Sequence, residues 1–107
     1  MASSAYDPAI AREEDILQRW HESERDGTRL ACADFGGTGT PVILLPRLAG
    51  HATEWAETAS WLTDKHHVFA PDLRGHGRSE RRPDDVSREA HSADVAAWIE
   101  HFGFETV

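Results

Sequence analysis

Ala70-Pro71-Asp72-Leu73-Arg74-Gly75-His76-Gly77-Arg78-Ser79 is a strand end running into a loop. Strand character is carried by His67-Val68-Phe69-Ala70 and stops at Pro71-Asp72, because proline cannot donate to a ladder and aspartate favours a turn. Residues 73–83, rich in glycine and arginine, continue as loop. Upstream, Pro41 introduces Val42-Ile43-Leu44-Leu45, a run too short for a helix and apolar on both faces, which reads as a central parallel strand. Between these strands, residues 53–62 place Trp55, Ala59 and Leu62 on one helical stripe. Downstream, residues 87–102 carry Val95, Trp98, Ile99 and Phe102 at helical spacing, and Gly103 follows as a left-handed C-cap. Phe104 to Val107 reads as the approach to a further strand.

The N-terminal side begins differently. Asp26-Gly27 is a hairpin signal, with residues 21–25 and 28–35 as its strands. In the second strand, Leu30 and Cys32 share one face and Ala31, Ala33 and Phe35 the other. Residues 36–40 form a flexible glycine-rich loop. Asp7-Pro8 is a helix start, and a helix is predicted over 9–20, its apolar face narrowed by Glu13, Glu14 and Asp15. A hairpin followed by alternating strands and helices is the order of an α/β protein: β/α units of a mostly parallel sheet with right-handed crossovers, here preceded by an extra N-terminal helix.

Composition narrows the functions. With 107 residues the chain has room for one small domain. Nineteen acidic residues against eleven basic ones give a formal charge of −8, which argues against a general nucleic-acid or anionic-membrane binder. No apolar run approaches the ~20 residues of a membrane span, and Met1-Ala2-Ser3-Ser4-Ala5-Tyr6-Asp7 lacks the basic and apolar regions of a signal peptide. The lone Cys32 excludes an internal disulfide framework and fits a reducing compartment, so a cytoplasmic location is expected.

Several constellations invite chemistry. Of the seven histidines, no pair has a helical ligand spacing, and His66 and His67 point to opposite faces of one strand, so no metal site is expected. Gly75-His76-Gly77 meets Glu80 where a dinucleotide motif needs a third glycine, and no Walker loop exists; no cofactor is expected. Asp72, His76 and Ser79 have the residue types of a triad, but a single flexible loop cannot fix their distances as separate elements do. The reading preferred is that Asp72 and Ser79 hydrogen-bond the loop's own backbone. Gly77-Arg78-Ser79-Glu80-Arg81 lacks the second glycine of a nucleophile elbow. Arg74, Arg78, Arg81 and Arg82 could hold an anion, but a solvated surface loop is the reading preferred.

With this order laid out, the chain resembles the N-terminal part of an α/β-hydrolase over residues 24–107, which leaves 1–23 as an N-terminal helical extension. Pro41-Val42-Ile43-Leu44-Leu45-Pro46-Arg47-Leu48-Ala49-Gly50-His51 is similar to the family's third strand and the loop after it, which typically reads His-Gly-x-x-Gly. The 70–79 segment is similar to the fourth strand and its glycine loop, and Asp94-Val95-Ala96-Ala97-Trp98-Ile99 lies where the family has its second helix. The resemblance implies that the backbone N–H of Leu48 is an oxyanion-hole donor, a role worth roughly 3 kcal/mol when a comparable donor is removed. Pro46-Arg47 stands where the family has His-Gly, so the resemblance leaves open whether the loop keeps its path. Arg47 either enters the pocket and pairs with a substrate carboxylate, or faces solvent or an acid such as Glu54. Asp72, Gly75 and Gly77 are expected to shape the loop rather than to react.

The elbow Gly-x-Ser-x-Gly would follow about ten residues after Val107, and no triad member is assignable among the residues present. The leading expectation is a partial serine α/β-hydrolase whose parent acts on an ester-like or related small substrate, inactive alone. The alternative is a non-catalytic, degenerate module that pairs with another chain. Either way, self-association or pairing with the missing C-terminal half is expected, and no nucleic-acid or membrane partner.

Overall fold

Asp26 and Gly27 both have positive φ, 53° and 76°, the backbone that a two-residue hairpin turn requires. In the computed structural model, which describes residues 19–47 and 50–107, this turn joins β1 (Arg19–Arg25) to β2 (Thr28–Gly36). The antiparallel register runs from Arg25↔Thr28 to Arg19↔Asp34. Up to residue 18, the helix expected over 9–20 lies outside the described residues. Arg19 and Trp20 are strand, not helix, so the sheet begins inside the segment expected as an N-terminal extension. Pairing Trp20 with Ala33 places the indole beside the core, a stronger constraint than the narrow apolar stripe of the expected helix.

β3 (Thr40–Ile43) and β4 (His66–Pro71) follow, separated by a 3₁₀ turn (Ala52–Trp55) and α1 (Ala56–Leu62); α2 (Arg88–Phe102) closes the order. The sheet is mixed, in the order β1-β2-β4-β3. β4 pairs antiparallel with β2, through a bulge between Asp34 and Gly36, and parallel with β3. Ser87 caps α2, its hydroxyl accepting from the Ala90 N–H at 3.1 Å. Gly103, φ 75°, ends the helix in the left-handed conformation expected of it.

The alternation in β2 sorts the core into two layers. Ala33 and Phe35 join Val68 and Ala70 beneath Ala52, Ala56 and Ala59, where small side chains let α1 approach the sheet closely. Leu30, Cys32 and Phe69 meet Trp98 of α2 on the opposite face, with Ile43, Phe102 and Phe104 around them. Helices on both faces of one sheet make the α/β layering expected from the sequence. β3 is an edge strand of the described sheet: Val42, Ile43 and Leu44 are half-buried, and Leu45 beyond it is 48% exposed. Residues 104–107 form no strand; Phe104 packs on Phe69 with ring centroids 5.3 Å apart. No helix among the described residues is long and apolar enough to cross a membrane.

Candidate active site

β3 and β4 run parallel, so the loops that leave them emerge at the same end of the sheet, the end where open α/β sheets bind ligands. After β3 the chain makes a tight turn, the Gly50 N–H donating to the Arg47 carbonyl at 2.8 Å. A Cβ on Gly50 would press on the Glu54 carboxylate and the Arg47 side chain. Leu48, the expected oxyanion donor, lies outside the described residues. Arg47 is exposed and lines a cleft of about 570 Å³ with Leu45, Pro46, Glu54 and Trp55.

Asp72, at the end of β4, fastens this turn to the neighbouring loop. Its Oδ1 accepts from the Ala52 N–H at 2.6 Å, and its Oδ2 accepts from the Arg78 N–H at 2.9 Å. Ser79 completes the fastening: its hydroxyl donates to the Asp72 carbonyl at 2.7 Å and accepts from the Ala31 N–H at 2.9 Å. The residue is 0% exposed, so its oxygen cannot meet a substrate. Gly77, φ 54°, folds directly over the Asp72 carboxylate, where a Cβ would collide with it. Gly75, φ 84°, donates to the Glu80 carbonyl at 2.6 Å. The His76 Nδ1 lies 3.1 Å from the Arg74 carbonyl, within the same loop. Asp72 and Ser79 thus bond to backbone both within the loop, at Arg78 and Asp72, and outside it, at Ala52 and Ala31, where only the loop's own backbone was expected.

The arginines divide. Arg81 and Arg82 are exposed, and Arg78 lies over the Trp20 ring at 4.6 Å. Arg74 corrects the picture of a solvated loop: it is 2% exposed and bonds Asp94 in bidentate fashion at 2.7 and 2.8 Å. Hydrogen bonding to Asp94 raises the Arg74 guanidinium above its ordinary value. Arg25 adds a bond of 2.6 Å to the same carboxylate. Sequence reasoning missed this network, although Asp94 sits four residues before Trp98 on the buried stripe, where a carboxylate needs a buried partner.

A second polar cluster lies at the opposite end of the sheet. His21 and His67 each place Nε2 2.9 Å from an Asp34 oxygen. Burial alone would raise the Asp34 carboxyl, but bonds from His21, the Gly36 N–H and His67 hold it below its ordinary value. Cys32 is no nucleophile: burial, and then the Asp34 charge, push its thiol well above its ordinary value.

The model of the α/β hydrolase fold matches residues 40–107, which contain both loops and the Asp72 fastening. The chain belongs to the α/β-hydrolase fold family. Among its relatives, the soluble epoxide hydrolase of Corynebacterium sp. is 30% identical over 81% of this chain and 30% of its own length. N-formylmaleamate deformylase of Pseudomonas putida is 30% identical over 76% of this chain and 31% of its own. The ligand-free structure of the epoxide hydrolase CorEH superposes with a TM-score of 0.74 at 30% identity, over 81% of this chain and 30% of that one. The chain therefore spans about a third of the length of the α/β hydrolases it matches.

Proposed function

We propose that this chain forms the N-terminal part of an α/β-hydrolase that cleaves or transfers an ester-like small substrate through a serine nucleophile, and that it supplies the oxyanion-loop wall of that site. The observation that carries the reading is the Asp72 carboxylate, which ties the turn after β3 to the loop after β4 and so fixes the wall of the cleft. In this reading the Leu48 N–H donates to the developing oxyanion, where a backbone donor stabilises the charge. The reading assigns no nucleophile, acid or catalytic histidine among these 107 residues. Cys32, buried as a free thiol, fits a cytoplasmic setting.

The test has two parts. The 107-residue chain alone should hydrolyse nitrophenyl acetate no faster than buffer, because nucleophile and base supply most of the acceleration in acyl transfer. The reading frame beyond Val107 should enter a Gly-x-Ser-x-Gly elbow, and the longer product should turn the ester over until that serine is replaced. Turnover by the short chain that Ser79→Ala abolishes would overturn the proposal.

One observation favours a second reading, a module that pairs with another chain. β3 has no strand on its outer edge among the described residues, and an apolar groove of about 260 Å³ runs beside it, lined by Val42, Ile43, Leu45, Val95, Ile99 and Val107. Such an edge is a template for pairing. In that reading the isolated chain self-associates in light scattering; a monodisperse monomer with sharp cooperative unfolding refutes it.

A further inference from the structure

Asp26, at the tip of the β1–β2 hairpin, is the only non-glycine residue with positive φ among the described residues. The two-residue turn imposes that backbone, which brings the Cβ of an L-residue too close to the following carbonyl oxygen. The Asp26 side chain is 72% exposed, and Gly27 is exposed as well. Apart from its chain neighbours, no atom lies within 4 Å of where a Cβ of Gly27 would stand. One Asp26 oxygen accepts from Arg25 Nη1 at 2.8 Å, and the carboxylate has no other hydrogen bond among the described residues.

The residue that follows sets Asp26 apart from the other aspartates. They precede proline, isoleucine, phenylalanine, lysine, leucine, valine or a second aspartate, and only Asp26 precedes glycine. A side chain on the following residue, or the ring of proline, screens the peptide nitrogen; glycine leaves it open. The buried Asp34, Asp72 and Asp94 also have both carboxylate oxygens engaged. An exposed aspartyl carboxyl beside an unscreened nitrogen has a defined chemistry, the closure of a five-membered imide.

We propose that Asp26–Gly27 is a self-modification site, at which the folded chain converts aspartate to isoaspartate. The Gly27 nitrogen gives its electron pair to Asp26 Cγ and loses its proton. One carboxylate oxygen takes that proton and a second from solvent, and leaves as water. Water then opens the imide. Attack at Cγ restores aspartate. Attack at the Asp26 backbone carbonyl breaks its bond to the nitrogen, frees an α-carboxylate, returns the proton to solvent and routes the main chain through Cγ, one methylene longer. The longer link dismantles the two-residue turn that forces the positive φ, so the product releases the strain carried by the aspartate. It also re-seats the carboxylate that Arg25 holds, while Arg25 stays anchored to Asp94 at 2.6 Å.

The experiment incubates the chain for weeks at physiological pH, folded and, in parallel, unfolded in denaturant. The probe is a carboxyl methyltransferase specific for isoaspartate, with a labelled methyl donor, read beside digestion by an endoproteinase that cuts before aspartate. The chain contains no asparagine, so every labelled site began as aspartate. Label should accumulate on the folded chain, the cut at Asp26 should be lost while those at the other aspartates remain, and the intact mass should not change. The folded rate should lie within about tenfold of the unfolded rate, the reach of a local opening at a hairpin tip. Asp26→Glu keeps the charge but cannot close a five-membered ring, and should abolish the label. Asp26→Asn tolerates the same φ and expels ammonia more readily than the carboxylate expels water, so it should gain label faster. Label confined to the unfolded chain, or a folded rate below that range, means that the turn protects the bond and overturns the proposal. So does label that survives Asp26→Glu or maps to another aspartate. Unchanged amide resonances away from the turn establish that each variant is folded.

Discussion

The loops leaving β3 and β4 emerge side by side and differ in almost every physical respect. The loop after β4 is closed on itself. Asp72, Ser79 and Gly75 bond to backbone, the buried Arg74 bonds to Asp94, and backbone bonds such as the Glu80 N–H to the Arg29 carbonyl at 2.7 Å extend it along β2. The loop after β3 is held by its backbone, through Gly50 to Arg47 and Ala52 to Asp72, while its Arg47 side chain stays exposed on a cleft. One loop buries its charged groups in bonds to the protein, and the other leaves the Arg47 guanidinium exposed. The difference teaches that a run of glycines and charged residues is no guide to reactivity until each polar atom has been traced to a partner.

If the β4 loop is structural, its buried ion network should dominate stability. Asp94→Ala leaves the Arg74 guanidinium buried without its carboxylate, and Arg25 loses the same partner. The expected cost is about 3–5 kcal/mol, read from denaturant unfolding. A loss under 1 kcal/mol would mean that Arg74 reaches water easily and that the loop is less closed than its bonds imply. Asp72→Ala comes next. It orphans the Ala52 and Arg78 N–H groups, a loss of roughly 2–4 kcal/mol. It should also loosen the turn after β3, so amide exchange at Gly50 and His51 should accelerate with it; exchange unchanged there would uncouple the two loops.

The hairpin, the strand runs and the α2 caps were legible in the sequence because each rests on local chemistry. Asp26-Gly27 accepts positive φ, Val42-Ile43-Leu44-Leu45 is too short for a helix, and Ser87 and Gly103 cap as their types allow. The Asp72–Ser79 loop was legible in part: the bonds of Asp72 to the Arg78 N–H and of Ser79 to the Asp72 carbonyl are local, whereas those to Ala52 and Ala31 come only with folding. Arg74 was not, because its partner Asp94 lies twenty residues away and only folding brings α2 beneath the loop. Trp20 misled in the same manner: helical spacing placed it at the end of a helix, while the β1–β2 register carries the strand through it. The candidate site was expected at Pro46–Gly50 through family likeness alone. Its openness followed only from the absence of partners around Arg47.

Gly77 tests the closed loop at a smaller scale. Its φ of 54° and the Asp72 carboxylate above it both oppose a side chain. Gly77→Val should cost on the order of 1–3 kcal/mol through backbone strain and displacement of that carboxylate. Combined with Asp72→Ala, the valine should cost less than it does alone, because the obstructing carboxylate is gone; strict additivity would place the whole cost in the backbone. An unchanged melting temperature for Gly77→Val would remove the strain argument.

The smallest effect is expected where the loop is open. Arg47 is exposed, and its backbone carbonyl, not its side chain, accepts the bond that closes the turn. Arg47→Gln keeps most of the stem that lies beside Gly50 and removes only the charge, so unfolding free energy should stay within about 0.5 kcal/mol of the parent. Because the chain carries a formal charge of −8, removing one cation adds a small repulsion, and the residual change should be a slight destabilisation that fades with salt. Chemical denaturation at low and high ionic strength measures both. A loss comparable to that of Gly77→Val, persisting in salt, would show that the Arg47 side chain builds the turn, and the contrast between the two loops would fail on the β3 side.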